Sequence, residues 1–514
     1  MSLIQKARIF IAGQNIPGLL PVLTVLAPLL MGIYGVEEPS AGSLATPLRF
    51  LLATLCLSII VGLVVKVPTA GFAFLAGVLL FLGTIRRELI PLLGYDSNDP
   101  LTLIGAVSGF LLVVRIVAAG KIQQTALSVR ITIALLIIMV LQIFNPLQGG
   151  ILVGLGGALF YIGPLLWYYV GRNYPQIRML EILCTMILGG AILIAFLGLK
   201  QQYIGFSNVE QYWMLVSKYK QNLVEGAVRV CGASLSFGEY VTLLTMGVAI
   251  AWVRFVLGRF VYGIPFLFLL FCVFLSSSRG CVVMVLAGCA VTWGMLERKP
   301  VFRIPRILLG VAIGAAGLIF GLSQAKAVRF EGPTAVFIQH QVEGLTDPLN
   351  SERSTATKHA GLLQIGFSSG LRNPLGQGLG STTIAGRRFA GSSEDGSSGT
   401  FSTELDFTNI IVSTGAIGGI IYMLLMARIA FVLVWSWDKN RQAAVLQLIG
   451  LATVTFGNWL QGGYYAPSIL MWLCFGIVDG RASLDNIDSV KLPTIEKIVA
   501  RLPRPLQSIM PGGG

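Results

Sequence analysis

Long apolar runs recur along almost the whole chain, and no other feature restricts its folding as strongly. Candidate spans centre on residues 17–34, 48–65, 70–85, 101–119, 131–144, 150–170 and 179–198, then on 236–257, 260–277, 280–296, 307–323, 407–433, 443–460 and 465–479. A helix that crosses a bilayer needs about 20 apolar residues. In lipid its backbone amides must be satisfied internally, which a helix does within one segment. Several runs are short, and pairs such as 131–144 with 150–170 can be one span and a half-helix. The expectation is an all-α polytopic membrane protein of about 12–14 transmembrane helices. Composition closes the soluble alternative: only 12% of the 514 residues are charged and 55% are hydrophobic, against roughly 25% charged in soluble domains.

The formal charge of +14 does not point to nucleic acid, because the basic residues sit in short clusters at the ends of apolar runs. That is how Lys and Arg fix topology against a cytoplasmic leaflet. With the N-terminus in the cytoplasm, Lys121 with Arg130, Arg172 with Arg178, Arg254 with Arg259, Arg298 to Arg306, and Lys439 with Arg441 share one side. The tail carrying Arg481 to Arg504 joins them, while the pair Arg86-Arg87 falls on the other side. Trp167, Tyr168, Trp435 and Trp437 lie at span ends, where aromatic anchors sit. The run from Ile16 to Tyr34, behind Lys6 and Arg8, reads as an uncleaved first span. The seven cysteines have neither metal spacing nor the pattern of a disulfide framework.

This divides the chain into an N-terminal bundle (1–199), a first outer loop (200–235), a second group of helices (236–323), a large outer loop (324–404), C-terminal helices (405–480) and a tail (481–514). Loops longer than about 15 residues are usually functional or disordered. The second loop has 81 residues, seven basic and seven acidic, so any anion site in it must be local. Its apolar stretches, Thr334 to Ile338 and Ala360 to Phe367, are expected to form helices on the membrane surface, and Gly391 to Gly399 a mobile tip.

Three features carry possible chemistry. Arg229 precedes a span in Arg229-Val-Cys-Gly-Ala-Ser-Leu-Ser-Phe-Gly-Glu239, and Arg279 lies in Ser276-Ser-Ser-Arg-Gly280, where two apolar runs meet almost without a linker. An arginine at such a depth costs about 2.5–3.5 kcal/mol on insertion scales and normally faces a polar cavity or a partner. Its planar fork suits phosphate oxygens. The third feature is the large loop with Arg353, Lys358, His359 and Arg372, then Asn373-Pro-Leu-Gly-Gln-Gly-Leu-Gly380, and finally Glu404 and Asp406 at the mouth of the next span. The glycines permit a sharp turn or close approach to a ligand. Partial burial can raise a carboxylate pKa toward a useful base. His340 and His359 are the only histidines; a lone loop histidine is usually ordinary, although imidazole is the readiest base near neutral pH.

Many spans, a Ser-Arg-Gly at a span end, a large late loop, and Asn-Pro-Leu-Gly-x-Gly-x-Gly before a span containing Gly415-Ala-Ile-Gly418 together resemble the bacterial O-antigen ligase and O-antigen (exopolysaccharide) polymerase superfamily. The resemblance extends from about Arg229 to Asn458. It implies a multi-pass glycosyltransferase of the bacterial inner membrane, with its active site facing the periplasm and no metal or other cofactor. The donor would be a glycan on undecaprenyl diphosphate, and the partners an acceptor glycan, the bilayer and a chain-length regulator or export machinery. Arg279 matches the family's Ser-Arg-Gly arginine, and Arg229 is similar to a second arginine that holds the lipid diphosphate. Members that attach glycan to lipid A core carry a His-Asn pair where this chain has Thr403-Glu-Leu-Asp406, which counts against a ligase.

The expected function is therefore a polysaccharide polymerase, with a ligase as the alternative within the class and a small-anion transporter outside it. Glu404, then Asp406 and His359, are the expected bases, and Arg353, Lys358 and Arg372 the loop residues toward the acceptor. In the first outer loop, Tyr203, Tyr212 and Trp213 are candidates to stack on sugar faces.

Overall fold

The computed structural model describes residues 45–96, 98–120, 126–217, 223–224, 226–327, 333–346, 356–389, 403 and 405–485. The expected span at 17–34, the tip at 391–399, Arg353 and Glu404 lie outside the described residues, as do the side chains of Lys358 and His359. The described chain is all-α except for one small hairpin, β1 (Leu223–Val224) paired antiparallel with β2 (Ala227–Val228).

The helices are α1 (Ala45–Lys66), α2 (Pro68–Glu88), α3 (Ile90–Leu93), α4 (Ile104–Ala118), α5 (Leu127–Ile143), α6 (Ile151–Asn173), α7 (Ile177–Tyr203) and α8 (Asn208–Val216). After the hairpin come α9 (Phe237–Val256), α10 (Gly263–Leu275), α11 (Arg279–Met295), α12 (Pro300–Ala327), α13 (Pro333–Thr346), α14 (Ala356–Arg372) and α15 (Ile384–Phe389). The chain closes with α16 (Asp406–Asn440), α17 (Ala443–Val454) and α18 (Tyr465–Leu484).

Among the described residues, eight helices are long and apolar enough to cross a membrane, which makes this a multi-pass membrane architecture. Every expected span from 48–65 onward holds a helix, yet several do not reach spanning length. At 1.5 Å per residue the 17 residues of α5 or of α11 span about 26 Å, short of a hydrocarbon core of about 30 Å. The 12-residue α17 is shorter still and is buried in protein for most of its length. The long segment after 324 is substantially helical, since α12 continues to Ala327 and α13, α14 and α15 follow.

Burial sorts the helices into layers. α9 and α18 are central: 83% of the apolar window of α9 is buried, and from Tyr465 to Gly480 every α18 residue is. That position explains how α18 accommodates Pro467, Ser468, Trp472 and Asp479, because protein rather than lipid surrounds it. α12 is the opposite case, with 6% of its window buried. A separate cluster of buried Leu275, Leu322, Ile338 and Val342 joins α10, α12 and α13 apart from the main core.

Glycines bring α6 and α18 into backbone contact. A Cβ at Gly476 would overlap the Tyr168 carbonyl, and one at Gly480 would stand 2.6 Å from the Arg172 carbonyl oxygen. Small residues at such crossings are the usual route to close packing in membranes. At the same crossing Arg172 pairs with the buried Asp479. Ser128 Oγ (2.8 Å) and Tyr168 Oη (2.6 Å) also donate to that carboxylate.

Several sequence expectations change here. Arg172 is an ion-pair partner of buried Asp479, and residues 481–484 belong to α18 rather than to the tail region. Trp167, Tyr168 and Trp437 are buried: Trp167 Nε1 donates to the Gly105 carbonyl (2.7 Å) and Trp437 Nε1 to that of Met295 (2.7 Å). Arg86 and Arg87, which broke the topology count, are internal ligands. Arg86 donates to Asp99 (3.0 Å), which also accepts from buried Arg49 (2.6 Å). Buried Arg87 donates to the carbonyls of Gly232 (2.5 Å) and Ser234 (3.0 Å).

Candidate anion site at a helix break

α10 and α11 are separated by Ser276, Ser277 and Ser278, residues whose hydroxyls compete with helical hydrogen bonding. Ser276 Oγ donates to the Val273 carbonyl (2.6 Å), and Ser277 has φ +60°, a left-handed conformation uncommon for a residue with a Cβ. The chain therefore restarts abruptly as α11, whose first residue is Arg279. No side chain at Ser278 caps that N-terminus. A cation there adds to the positive end of the helix dipole instead of opposing it.

Arg279 reaches across to α13. Its Nη2 donates to the His340 carbonyl (2.6 Å), and a Cβ at Gly344 would overlap its guanidinium. Glycine at 344, one helical turn after His340, is thus what lets the arginine lie against α13. Arg229 approaches the same break from the other side: its Nη2 contacts the Ser277 carbonyl (3.4 Å), and its guanidinium lies over the Phe237 ring at 4.6 Å.

The loop carrying Arg229 is held from three directions. Arg87 bonds the 232 and 234 carbonyls, as above. Gln201 Oε1 accepts from the amides of Cys231 (3.0 Å) and Gly232 (2.8 Å), while its Nε2 donates to Glu210 (2.7 Å). Glu239 accepts from the Leu235 amide (2.8 Å) and from that of Ala466 (2.9 Å), tying the start of α9 to α18. Burial alone would push the Glu210 carboxyl up, but bonds from Lys200, the Ser207 amide and Gln201 hold it below its ordinary value.

Positive charge predominates here, with Glu343 the acidic neighbour of Arg279. Burial, and then the neighbouring Arg279 charge, lowers the pKa of Arg229. The His340 imidazole is pushed down to about 4, first by burial and then by Arg279 and Arg229, with Glu343 opposing. At neutral pH it is uncharged and able to accept a proton. Two guanidinium groups meet at a helix N-terminus, with a neutral imidazole that feels the charge of both, a combination suited to a multiply charged oxyanion.

Of the sequence candidates, the structure brings Arg229 and Arg279 together. Arg372 is exposed at the end of α14. Asp406 belongs to a different polar cluster. Fully buried, it accepts from Tyr422 Oη (2.7 Å) and the Leu460 amide (3.1 Å), joining α16 to the turn before α18. Near it Asn409 Nδ2 donates to Gln461 (2.9 Å), and Thr382 Oγ1 meets both Tyr161 Oη (2.6 Å) and Ser413 Oγ (2.7 Å). The glycine motif also resolves differently from a ligand loop. Its close approach is to α16, where Gln377 N donates to the Val412 carbonyl (2.9 Å) and Gly378 N to that of Ser413 (3.1 Å). Gly376 (φ +85°) fits against Gly415 (φ +75°), the kink of α16. Tyr203 and Tyr212 are exposed, whereas Trp213 covers the Arg87 guanidinium at 5.1 Å.

His340, Gly344, Ser277, Gln201 and Arg87 are contributors that sequence reasoning did not select. The available signal was a histidine and a glycine four residues apart in an apolar helix. No protein-family model matches this chain, and a search of curated proteins finds no match to it.

Proposed function

We propose that the protein is a membrane glycosyltransferase that extends a polysaccharide from a polyprenyl-diphosphate-linked donor such as undecaprenyl diphosphate, at the outer face of a bacterial inner membrane. The observation that carries this reading is the convergence of Arg229 and Arg279 at the N-terminus of α11, which the Ser278 side chain does not cap. Two cations that repel one another gain most from a ligand with at least two negative charges, and a diphosphate at the membrane boundary is such a ligand.

In the reaction, the acceptor hydroxyl oxygen attacks the anomeric carbon and the bond from that carbon to the diphosphate oxygen breaks. The electron pair leaves with the diphosphate, where Arg229 and Arg279 stabilise the added charge. We assign the acceptor proton to His340, the imidazole that feels both arginines. Before the donor binds, the two guanidinium charges keep His340 neutral. Once the diphosphate neutralises them, its basicity returns toward the ordinary histidine value, so donor binding itself prepares the base. Asp406, expected as a base, is enclosed and its Oδ2 already accepts from Tyr422, while Glu404 and the His359 side chain lie outside the described residues.

The test is the size distribution of cell polysaccharide in a deletion strain complemented with wild type, Arg229→Ala, Arg279→Ala or His340→Gln. The expected outcome is loss of long chains with single repeat units retained, rescued by wild type alone. Complete but unattached polymer indicates a ligase instead. Unchanged glycans with Arg279-dependent anion uptake into vesicles indicate a transporter.

A further inference from the structure

Two cavities lie away from the arginine pair and share no lining residue with it. The first, about 540 Å³, is an apolar groove between α4, α5 and α6, bounded by Val113, Val117, Ile137 and Val140. The second, about 620 Å³, lies where α4 and α6 end, lined by Leu112, Ile116, Arg115, Asn173 and Tyr174. Gly120 lines both, so the apolar limb and the polar chamber adjoin. On α6, Leu166 and Tyr169 face the groove and Asn173 the chamber, a stripe at helical spacing.

Two groups in this space lack the partner their chemistry requires. Arg115 makes no ion pair or hydrogen bond among the described residues, although cations at membrane depth normally find one. Tyr169 is 6% exposed, and its buried hydroxyl has no hydrogen-bond partner. Leaving such a group unsatisfied costs about 1–3 kcal/mol. The limb itself opens outward, since Val117, Ile137 and Val140 are exposed. From Ile133 to Leu141 it follows α5 for about 12 Å at 1.5 Å per residue.

We propose that this space binds one anionic phospholipid, its phosphate at Arg115 and Asn173, an ester carbonyl accepting from the Tyr169 hydroxyl, and one acyl chain in the groove along Val117, Ile137 and Val140. A net-anionic headgroup neutralises the uncompensated Arg115. A zwitterionic lipid carries its own cation and leaves the chamber's charge in place. The site shares no residue with the arginine pair.

The experiment is native mass spectrometry of the full chain in a nonionic detergent, titrated with phosphatidylglycerol and phosphatidylcholine of matched chains. The expected result is a single phosphatidylglycerol retained about tenfold more tightly than phosphatidylcholine, the ratio that one desolvated charge contact supplies. Arg115→Gln, which breaks no ion pair or hydrogen bond among the described residues, abolishes the preference. Tyr169→Phe and the groove-filling Val140→Trp weaken both lipids, and Arg130→Gln, an exposed cation outside both cavities, changes nothing. Equal binding of the two lipids by wild type, or an undiminished preference in Arg115→Gln, overturns the proposal. So does a full chain that binds neither lipid while a variant lacking residues 1–44 binds phosphatidylglycerol, because the chain's own N-terminal segment would then fill the groove.

Discussion

At the scale of single residues, His340 makes the clearest claim. Its folded pKa near 4 lies below the value near 6.5 of an ordinary histidine. The fold therefore favours the neutral ring, and that contribution is complete above pH 6.5 and is lost as pH falls toward 4. Comparing His340→Gln with wild type by NMR isolates one of the two imidazole signals. That signal should titrate well below pH 6 in the free protein and move upward when inorganic pyrophosphate is added; a midpoint near 6.5 with or without pyrophosphate contradicts the assignment. Gly344 supplies a second residue-scale prediction. Glycine to alanine inside a helix ordinarily gains about 0.8–1 kcal/mol of helix propensity. Here the added methyl displaces the Arg279 guanidinium, so Gly344→Ala should cut polymer formation at least about tenfold, equivalent to about 1.4 kcal/mol, while the apparent melting temperature holds or rises. Arg279 was legible in the sequence because a charge between two apolar runs demands an account. His340 was not, because its environment comes from arginines 61 and 111 residues earlier that only the packing of α13 brings near.

At the scale of helices, the contact between α6 and α18 combines glycine packing with a buried charge pair. Removing one partner of a buried pair typically costs about 3–5 kcal/mol, whereas replacing both with apolar residues is often close to neutral. Asp479→Leu alone should therefore lower the apparent melting temperature in detergent more than the double variant Arg172→Met/Asp479→Leu; equal losses would assign the pair no coupling. The kink of α16 makes a similar demand. Gly415→Ala puts a Cβ on a residue at φ +75° and against the Pro374 carbonyl, a strain of about 1–3 kcal/mol for the backbone alone. The same thermal measurement should register it without loss of expression topology. The helices were legible because apolar runs are written locally. Their surroundings were not: Trp167 and Tyr168 occupy the span-end positions of lipid anchors, yet they face another helix.

For the whole molecule, charge placement separates into two uses that sequence counting merges. Arg86 and Arg87 are engaged by Asp99 and by the carbonyls of the 231–234 turn, so their charges have an internal use. Arg87→Ala should leave the membrane topology unchanged in reporter fusions along the chain but destabilise the protein and abolish polymer formation. Inversion of the first helices in that variant would show that the residue orients them. The satellite cluster has a further consequence. The arginines belong to segments seated on the main core, while the imidazole rides on α13, whose Ile338 and Val342 pack with Leu275 of α10 and Leu322 of α12, the least enclosed of the described spans. Arg279 itself bonds the His340 carbonyl, so the spacing of imidazole and guanidinium is set by that contact as well as by the apolar cluster. A diphosphate bound under the proposed function would act as a second clasp on a joint that Arg279 already bridges.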